Sequence, residues 1–97
     1  MRTIDEWCRE LHNLAVSKGF WDVESPVSTK LMLVVTELGE ACEADRKGDW
    51  DNFREEIADT VIRIFDLCGA LDIDIEREIE KKHAVNKNRP LRHGKRY

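Results

Sequence analysis

Apolar residues recur every three or four positions along most of the chain, which is the spacing of one face of an α-helix. Residues 4–15 keep this spacing, and Thr3 with Glu6 forms the capping-box pattern of a helix start. Gly19 supplies a stop at the other end. A first helix is therefore expected, followed by a loop that contains two aromatic residues.

A second helix is predicted from about residue 28 to residue 47, with Gly48 as its C-terminal stop. Ser25, before Pro26, or Ser28 can cap its start. The run LMLVV near this start is apolar on all sides, which indicates burial against more than one neighbour.

The third helix follows the turn GDWD, where Asp49 or Asp51 can cap it, and it ends near the sequence CGALD. Asp72 or Asp74 then caps a fourth helix, which Pro90 ends. No alternating strand pattern occurs. The sequence predicts an all-α fold: a four-helix bundle in which the second and third helices form a central hairpin.

The length of 97 residues predicts a single domain over residues 1–97 with a basic C-terminal tail at 90–97. Such a short chain buries a small core, so homo-oligomerisation is expected. The sequence has no signal-peptide pattern and no run long enough to span a membrane, and we expect a cytoplasmic protein. Cys8, Cys42 and Cys68 all fall on apolar helix faces, which favours reduced core thiols.

The net charge of −4 divides unevenly along the chain. Residues 1–80 carry nine Lys and Arg against all twenty Asp and Glu, whereas residues 81–97 carry seven Lys and Arg and no acid. A basic tail of this kind can be a solvated end, a nonspecific nucleic-acid arm or a partner for the acidic body.

Two carboxylate pairs stand out: Glu37 with Glu40, and Glu56 with Asp59. A single pair of acids three residues apart is common on exposed helix faces. Here, however, the pairs flank the apolar faces of successive helices, so a helical hairpin can gather four carboxylates around one pocket. Their mutual repulsion favours a divalent cation, and oxygen ligands favour Mg²⁺ or Mn²⁺.

The fourth helix and the tail add cations to this picture. Lys82 and Asn86 lie on one side of the helix, with Arg89 one turn later. Basic side chains near an acidic metal site suit a polyphosphate, whose charge is met by both. Salt bridges between the tail and the body are the alternative.

These motifs carry a resemblance. ELGE at 37–40, EIAD at 56–59 and KHAVNKNRP at 82–90 are similar to the MazG-like, all-α nucleoside triphosphate pyrophosphohydrolases, which include dimeric dUTPases and dCTP pyrophosphatases. The resemblance covers roughly residues 20–93. The chain holds one such unit, so roles of the doubled, longer relatives are not carried over.

The resemblance implies Mg²⁺-dependent cleavage between the α and β phosphates of an NTP or dNTP, giving the monophosphate and pyrophosphate, in the service of housecleaning of unwanted nucleotides. It implies that Glu37, Glu40, Glu56 and Asp59 hold the metal, Mn²⁺ being a possible substitute, and that Glu37 or Glu40 activates water. The implied substrate-binding residues are these: Lys82, Asn86, Arg89, Trp21 and Phe20. For Trp21 and Phe20, a packing role is the alternative. It also implies a homodimer or a dimer-of-dimers tetramer.

Three other interpretations stay open. The substrate can be a different nucleotide polyphosphate, such as the phosphoribosyl-ATP of a related histidine-pathway enzyme. The chain can instead be a non-catalytic helical oligomerisation or interaction module. A nucleic-acid binder that uses the basic tail is the third, disfavoured by the acidic body.

Overall fold

The computed structural model describes residues 1–96, and all regular secondary structure in that range is helical, without a strand. The helices are α1 (Ile4–Ser17), α2 (Val27–Lys47), α3 (Trp50–Leu71) and α4 (Ile75–Lys87), followed by a short 3-10 helix (Leu91–Gly94). The prediction of an all-α fold with four helices is confirmed.

Three of the helix starts are capped by side chains that the sequence singles out. The Thr3 hydroxyl accepts a hydrogen bond from the Glu6 backbone N–H, and the Glu6 carboxylate accepts one from the Thr3 N–H, so the capping box is formed. Asp49 caps α3 and Asp74 caps α4, each by accepting a hydrogen bond from a backbone N–H in the first turn.

The start of α2 differs from the prediction, because neither Ser25 nor Ser28 caps it. Pro26 occupies the N-cap position in an extended conformation, with no side-chain hydrogen bond. The Pro26 ring fixes φ at −66°, so the backbone direction at the start of α2 is set without a hydroxyl cap. Of the two candidate caps of α4, Asp74 is the one that caps it. Asp72, with φ of 55°, is the C-cap that ends α3.

The most extensive helix contact joins α2 to α3, as expected for a central hairpin, and α1 packs on α3. By contrast, α4 makes only a small contact with α1. Within one chain, therefore, three helices form the packed unit and α4 lies at its edge. The bundle predicted from the sequence is not closed by a single copy, because the apolar stripe of α4 is narrow.

Close packing between α1 and α3 depends on Gly69. A Cβ atom at this position would lie 2.5 Å from the Cys8 carbonyl oxygen and 2.8 Å from the His12 Cβ. No real side chain tolerates such distances, so α3 can approach α1 this closely only with glycine here.

The core of the described chain is small. The buried apolar residues are Cys8, Ala41, Ala44, Leu67 and Cys68, and no large side chain among residues 1–96 is fully enclosed. Burial raises the pKa values of the Cys8 and Cys68 thiols. The expectation of a core thiol at Cys42 is wrong for the single chain, because Cys42 is exposed on α2.

Large apolar side chains remain exposed along α2 and α3, among them Leu31, Val35, Ile57 and Val61. The radius of gyration is 15.8 Å, against about 13 Å for a compact domain of this length. No helix in the described part of the chain is long and apolar enough to cross a membrane.

Candidate metal centre

Three carboxylates meet where α2 faces α3. One oxygen from each of Glu37, Glu56 and Asp59 lies within 4.8 Å of the others. Glu56 and Asp59 are three residues apart and so project from the same face of α3, and the hairpin places Glu37 opposite them. The residues become more exposed in the order Glu37, Glu56, Asp59, and Glu37 is only 8% exposed. We call these three residues the acidic triad.

Glu40 is exposed and lies outside the triad, one helical turn after Glu37. Its carboxylate is nevertheless close enough to Glu56 to influence that residue's ionisation. Of the four carboxylates expected to converge, the structure thus brings three together and places Glu40 at the edge.

Glu56 has the most perturbed carboxyl group of the site. Desolvation first, and then the neighbouring carboxyls of Glu40 and Glu37, raise the pKa of Glu56 to about 7. Its Oε2 atom is shielded from solvent and has no hydrogen-bond partner among residues 1–96. An acceptor in this position is available to a cation that enters the site.

The pKa of Glu37 is shifted in the opposite direction, because Glu37 forms an ion pair with a basic residue. The Arg63 Nε donates a hydrogen bond to the Glu37 Oε1 at 2.8 Å, and this ion pair holds the pKa of Glu37 below its usual value. The pKa values of these two neighbouring glutamates are therefore shifted in opposite directions.

The residues of the triad fit a divalent cation of the magnesium class. They offer carboxylate oxygens from two helices, one of which is shielded and unpaired, and such oxygens are the ligands that Mg²⁺ and Mn²⁺ prefer. The soft sulfur ligands that would favour zinc are absent from this group.

A cavity of about 310 Å³ opens beside the triad, and Glu37 and Asp59 form part of its wall. Leu11, Leu14 and Ile62 contribute apolar surface to it, and Phe20 also lines it. A site with one apolar wall and one charged wall suits a ligand that has both an organic and an ionic part.

A second polar cluster fixes the loop between α1 and α2. The indole Nε1 of Trp21 donates a hydrogen bond to the Asp66 Oδ1 at 3.0 Å, and the Nδ1 of His12 lies 2.8 Å from the same oxygen. The Lys30 ammonium lies 4.1 Å from the centre of the Trp21 ring. Trp21 is thus held by Asp66, while its neighbour Phe20 faces the cavity.

The predicted phosphate-binding residues of the C-terminal region lie elsewhere in the single chain. Lys82 and Asn86 are on α4 and Arg89 follows it, and none of them lines the cavity beside the triad. The Oδ1 of Asn86 is shielded and has no partner among the described residues. The substrate-binding role of these three residues stays a prediction.

Sequence reasoning did not single out Arg63, Asp66 or His12. Each of the first two is an isolated charge within the apolar run VIRIFDLCG of α3, and a charge in such a run is a usable signal for a buried ion pair or hydrogen bond. Nothing in the sequence pairs them with Glu37 or His12, because those contacts depend on how α1 and α2 pack.

Comparisons of the chain with models of protein families, with curated proteins and with solved structures found no match. The triad, the Glu37–Arg63 pair and the adjoining cavity are consequently the features of the molecule on which a function can be based.

Proposed function

We propose that the protein is a Mg²⁺-dependent nucleoside triphosphate pyrophosphohydrolase, which cleaves an NTP or dNTP between its α and β phosphates. The observation that carries this proposal is the convergence of Glu37, Glu56 and Asp59 within 4.8 Å beside a cavity of about 310 Å³. The motifs that resemble the MazG-like pyrophosphohydrolases contribute all three residues of the triad.

In this proposal the triad holds the metal ion. When bound, Mg²⁺ would neutralise the negative charge that develops on the phosphate oxygens during hydrolysis. Such a reaction needs no nucleophilic side chain.

Glu40 is the better of the two candidates for the residue that takes a proton from the attacking water. It is exposed at the edge of the triad, whereas Glu37 is ion-paired with Arg63, and a carboxylate with a lowered pKa is a weaker base. The oxygen of this water bonds to the α-phosphorus, and one proton of the water passes to Glu40. The bond between the α-phosphorus and the oxygen that bridges to the β phosphate breaks, which releases pyrophosphate.

The cavity accounts for the organic part of the substrate. The apolar residues that α1 contributes to its lining, together with Phe20, would offer stacking and dispersion contacts to a base, while its charged residues would face the phosphates. Housecleaning of non-canonical or excess nucleotides is the role that we propose for such an enzyme.

We further propose that the active protein is a homodimer or a dimer of dimers. One copy leaves apolar residues exposed along α2 and α3 and encloses no large side chain among residues 1–96. A second copy that packs on α2 and α3 would supply the missing burial and could bring Lys82, Asn86 and Arg89 from its own α4 to the triad.

The proposal is tested by incubating the purified protein with each NTP and dNTP in the presence of Mg²⁺ and measuring pyrophosphate. We expect at least one substrate to be cleaved. Asp59→Asn and Glu40→Gln should lower kcat by about a hundredfold or more while the circular dichroism spectrum is unchanged.

The matched control is Glu43→Gln, which alters an exposed acid of α2 outside the site and should leave kcat unchanged. A folded protein that is inert on every nucleotide, with Mn²⁺ also tried, would contradict the proposal. Phosphoribosyl-ATP belongs in the same panel, because it is the competing polyphosphate substrate.

A non-catalytic oligomerisation module is the second candidate, and the exposed apolar faces of α2 and α3 favour it. Under this alternative, Glu37→Gln and Asp59→Asn relieve repulsion and leave the assembly and every function intact. Turnover by the wild type that Asp59→Asn abolishes in a folded assembly is incompatible with the module. A wild type that assembles but cleaves no nucleotide is incompatible with the enzyme.

A further inference from the structure

Arg63 is the one basic residue that contacts the acidic triad in the described part of the chain. Its side chain is 33% exposed, and it lies on α3 one turn after Asp59. It also lines the cavity of about 310 Å³ together with Glu37 and Asp59. Lys18 lines the same cavity, but among residues 1–96 only Arg63 is ion-paired with a carboxylate of the triad. An anion that enters this cavity therefore meets Arg63 beside the carboxylates.

The guanidinium group of Arg63 is only partly used by the protein. Its Nε donates to Glu37, whereas neither of its two outer nitrogens hydrogen-bonds to any residue from 1 to 96. A guanidinium offers five N–H donors in a planar fork, and the outer edge of this fork matches the oxygen spacing of a phosphate. The ion pair with Glu37 limits the rotation of the side chain, so this outer edge is already oriented.

We propose that Arg63 binds the phosphate groups of the substrate through its outer guanidinium nitrogens while its Nε stays on Glu37. This inference rests on the proposed function for the identity of the anion. It makes Arg63 a phosphate-binding residue supplied by the same chain as the triad, whereas Lys82, Asn86 and Arg89 do not line the cavity in that chain.

A purely structural role for Arg63 predicts something different. If Arg63 only neutralised Glu37, its removal would free a carboxylate for the cation and would leave anion binding unaffected. If it binds phosphate, its removal frees Glu37 for the cation and weakens anion binding at the same time. Cation binding is then retained or tightened while anion binding weakens, and a general loss of structure cannot produce that combination.

The test measures two affinities of the full-length protein by calorimetry: Mn²⁺ alone, and inorganic tripolyphosphate in the presence of saturating Mg²⁺. For Arg63→Gln we expect Mn²⁺ binding that is unchanged or tighter, and tripolyphosphate binding that is weaker by about tenfold or more. Arg63→Lys keeps the charge but loses the fork, so we expect an intermediate loss.

Arg46→Gln is the matched control, because Arg46 is exposed near the end of α2 and outside the cavity, and both affinities should equal those of the wild type. Circular dichroism checks the fold, and Arg63→Lys decides the matter if Arg63→Gln does not fold. Unchanged tripolyphosphate binding in the folded variant overturns the inference, as does a parallel loss of both affinities or a wild-type protein that binds no tripolyphosphate.

Failure of this inference is distinguishable from failure of the proposed function. The proposed function fails when no nucleotide releases pyrophosphate, whereas the inference is decided by the binding of a probe that contains no nucleoside. A wild type that hydrolyses nucleotides with an Arg63→Gln variant that binds tripolyphosphate normally would refute the inference alone.

Discussion

Glu37 and Glu56 are chemically identical side chains with opposite pKa shifts. Arg63 lowers the pKa of Glu37, while desolvation and the nearby carboxyls of Glu40 and Glu37 raise that of Glu56 to about 7. The sequence pattern predicted both residues as metal ligands, a role that stays a prediction. It could not assign these environments, because the contact between Arg63 and Glu37 joins residues from two different helices.

The Glu56 shift predicts how the stability of the metal-free protein varies with pH. The folded protein binds a proton at Glu56 more tightly than the unfolded chain does, so this contribution is complete below pH 4.5 and is lost as the pH rises to about 7. Glu56→Gln cannot ionise. We expect it to match the wild type most closely near pH 4 and to unfold at a higher temperature than the wild type at pH 8 in EDTA.

Thermal unfolding followed by tryptophan fluorescence at several pH values checks this expectation. Glu37 does not interfere. Because its pKa is lowered from 4.5, its contribution to stability is lost only as the pH falls below 4.5. Glu55→Gln serves as the control, since Glu55 is the exposed neighbour on α3. Saturating Mg²⁺ should remove the advantage of Glu56→Gln at pH 8, and a pH-independent difference would contradict the assignment.

At the scale of the elements, helix ends were predictable where a local signal decides them. The predicted capping box forms at the start of α1, and Gly48 ends α2. One of each pair of candidate aspartates caps α3 and α4. The start of α2 was not predictable in the same way, since Pro26 sets the chain direction without a hydroxyl cap. Capping motifs are local, whereas the choice between several possible caps depends on the path of the whole loop.

Two glycines inside helices provide a matched pair of substitutions. Gly69→Ala would place a methyl group against the Cys8 carbonyl and the His12 Cβ, and we expect a loss of about 1–3 kcal/mol in the free energy of unfolding. Gly39 has no atom within 4 Å of its would-be Cβ, so Gly39→Ala should add about 0.5–1 kcal/mol through its better helix propensity.

Urea unfolding of both variants measures these changes under identical conditions. Opposite signs are expected from the same chemical change, because only Gly69 lies at a helix contact. An Ala at position 69 that leaves stability unchanged would show that α1 and α3 can separate without cost, in conflict with the packing seen here.

For the whole molecule, the exposed apolar residues of α2 and α3 predict self-association. Val35 on α2 is 53% exposed, and we expect Val35→Glu to dissociate the assembly into monomers of lower stability. Light scattering coupled to size-exclusion chromatography measures the mass. Val23→Glu, in the loop before α2, is the control and should leave the assembly intact. A wild type that is monomeric at every concentration would contradict this prediction.

The sequence predicted an all-α architecture and a small core, yet it could not show how little α4 packs against the other helices. The apolar stripe of α4, although narrow, still predicts a packed face. Only the three-dimensional arrangement shows that the largest helix contact of α4 is the small one with α1. Periodicity reveals that a helix has an apolar face, whereas it does not reveal which molecule covers that face.

The peripheral position of α4 has a consequence for mixtures of defective proteins. If one subunit lends its Lys82 to the triad of its neighbour, each active centre is assembled from two chains. A preparation disabled at Asp59 and another disabled at Lys82 would then each be inactive alone, but would complement one another after exchange of subunits. Restored turnover in such a hybrid would show that each active centre takes residues from two subunits.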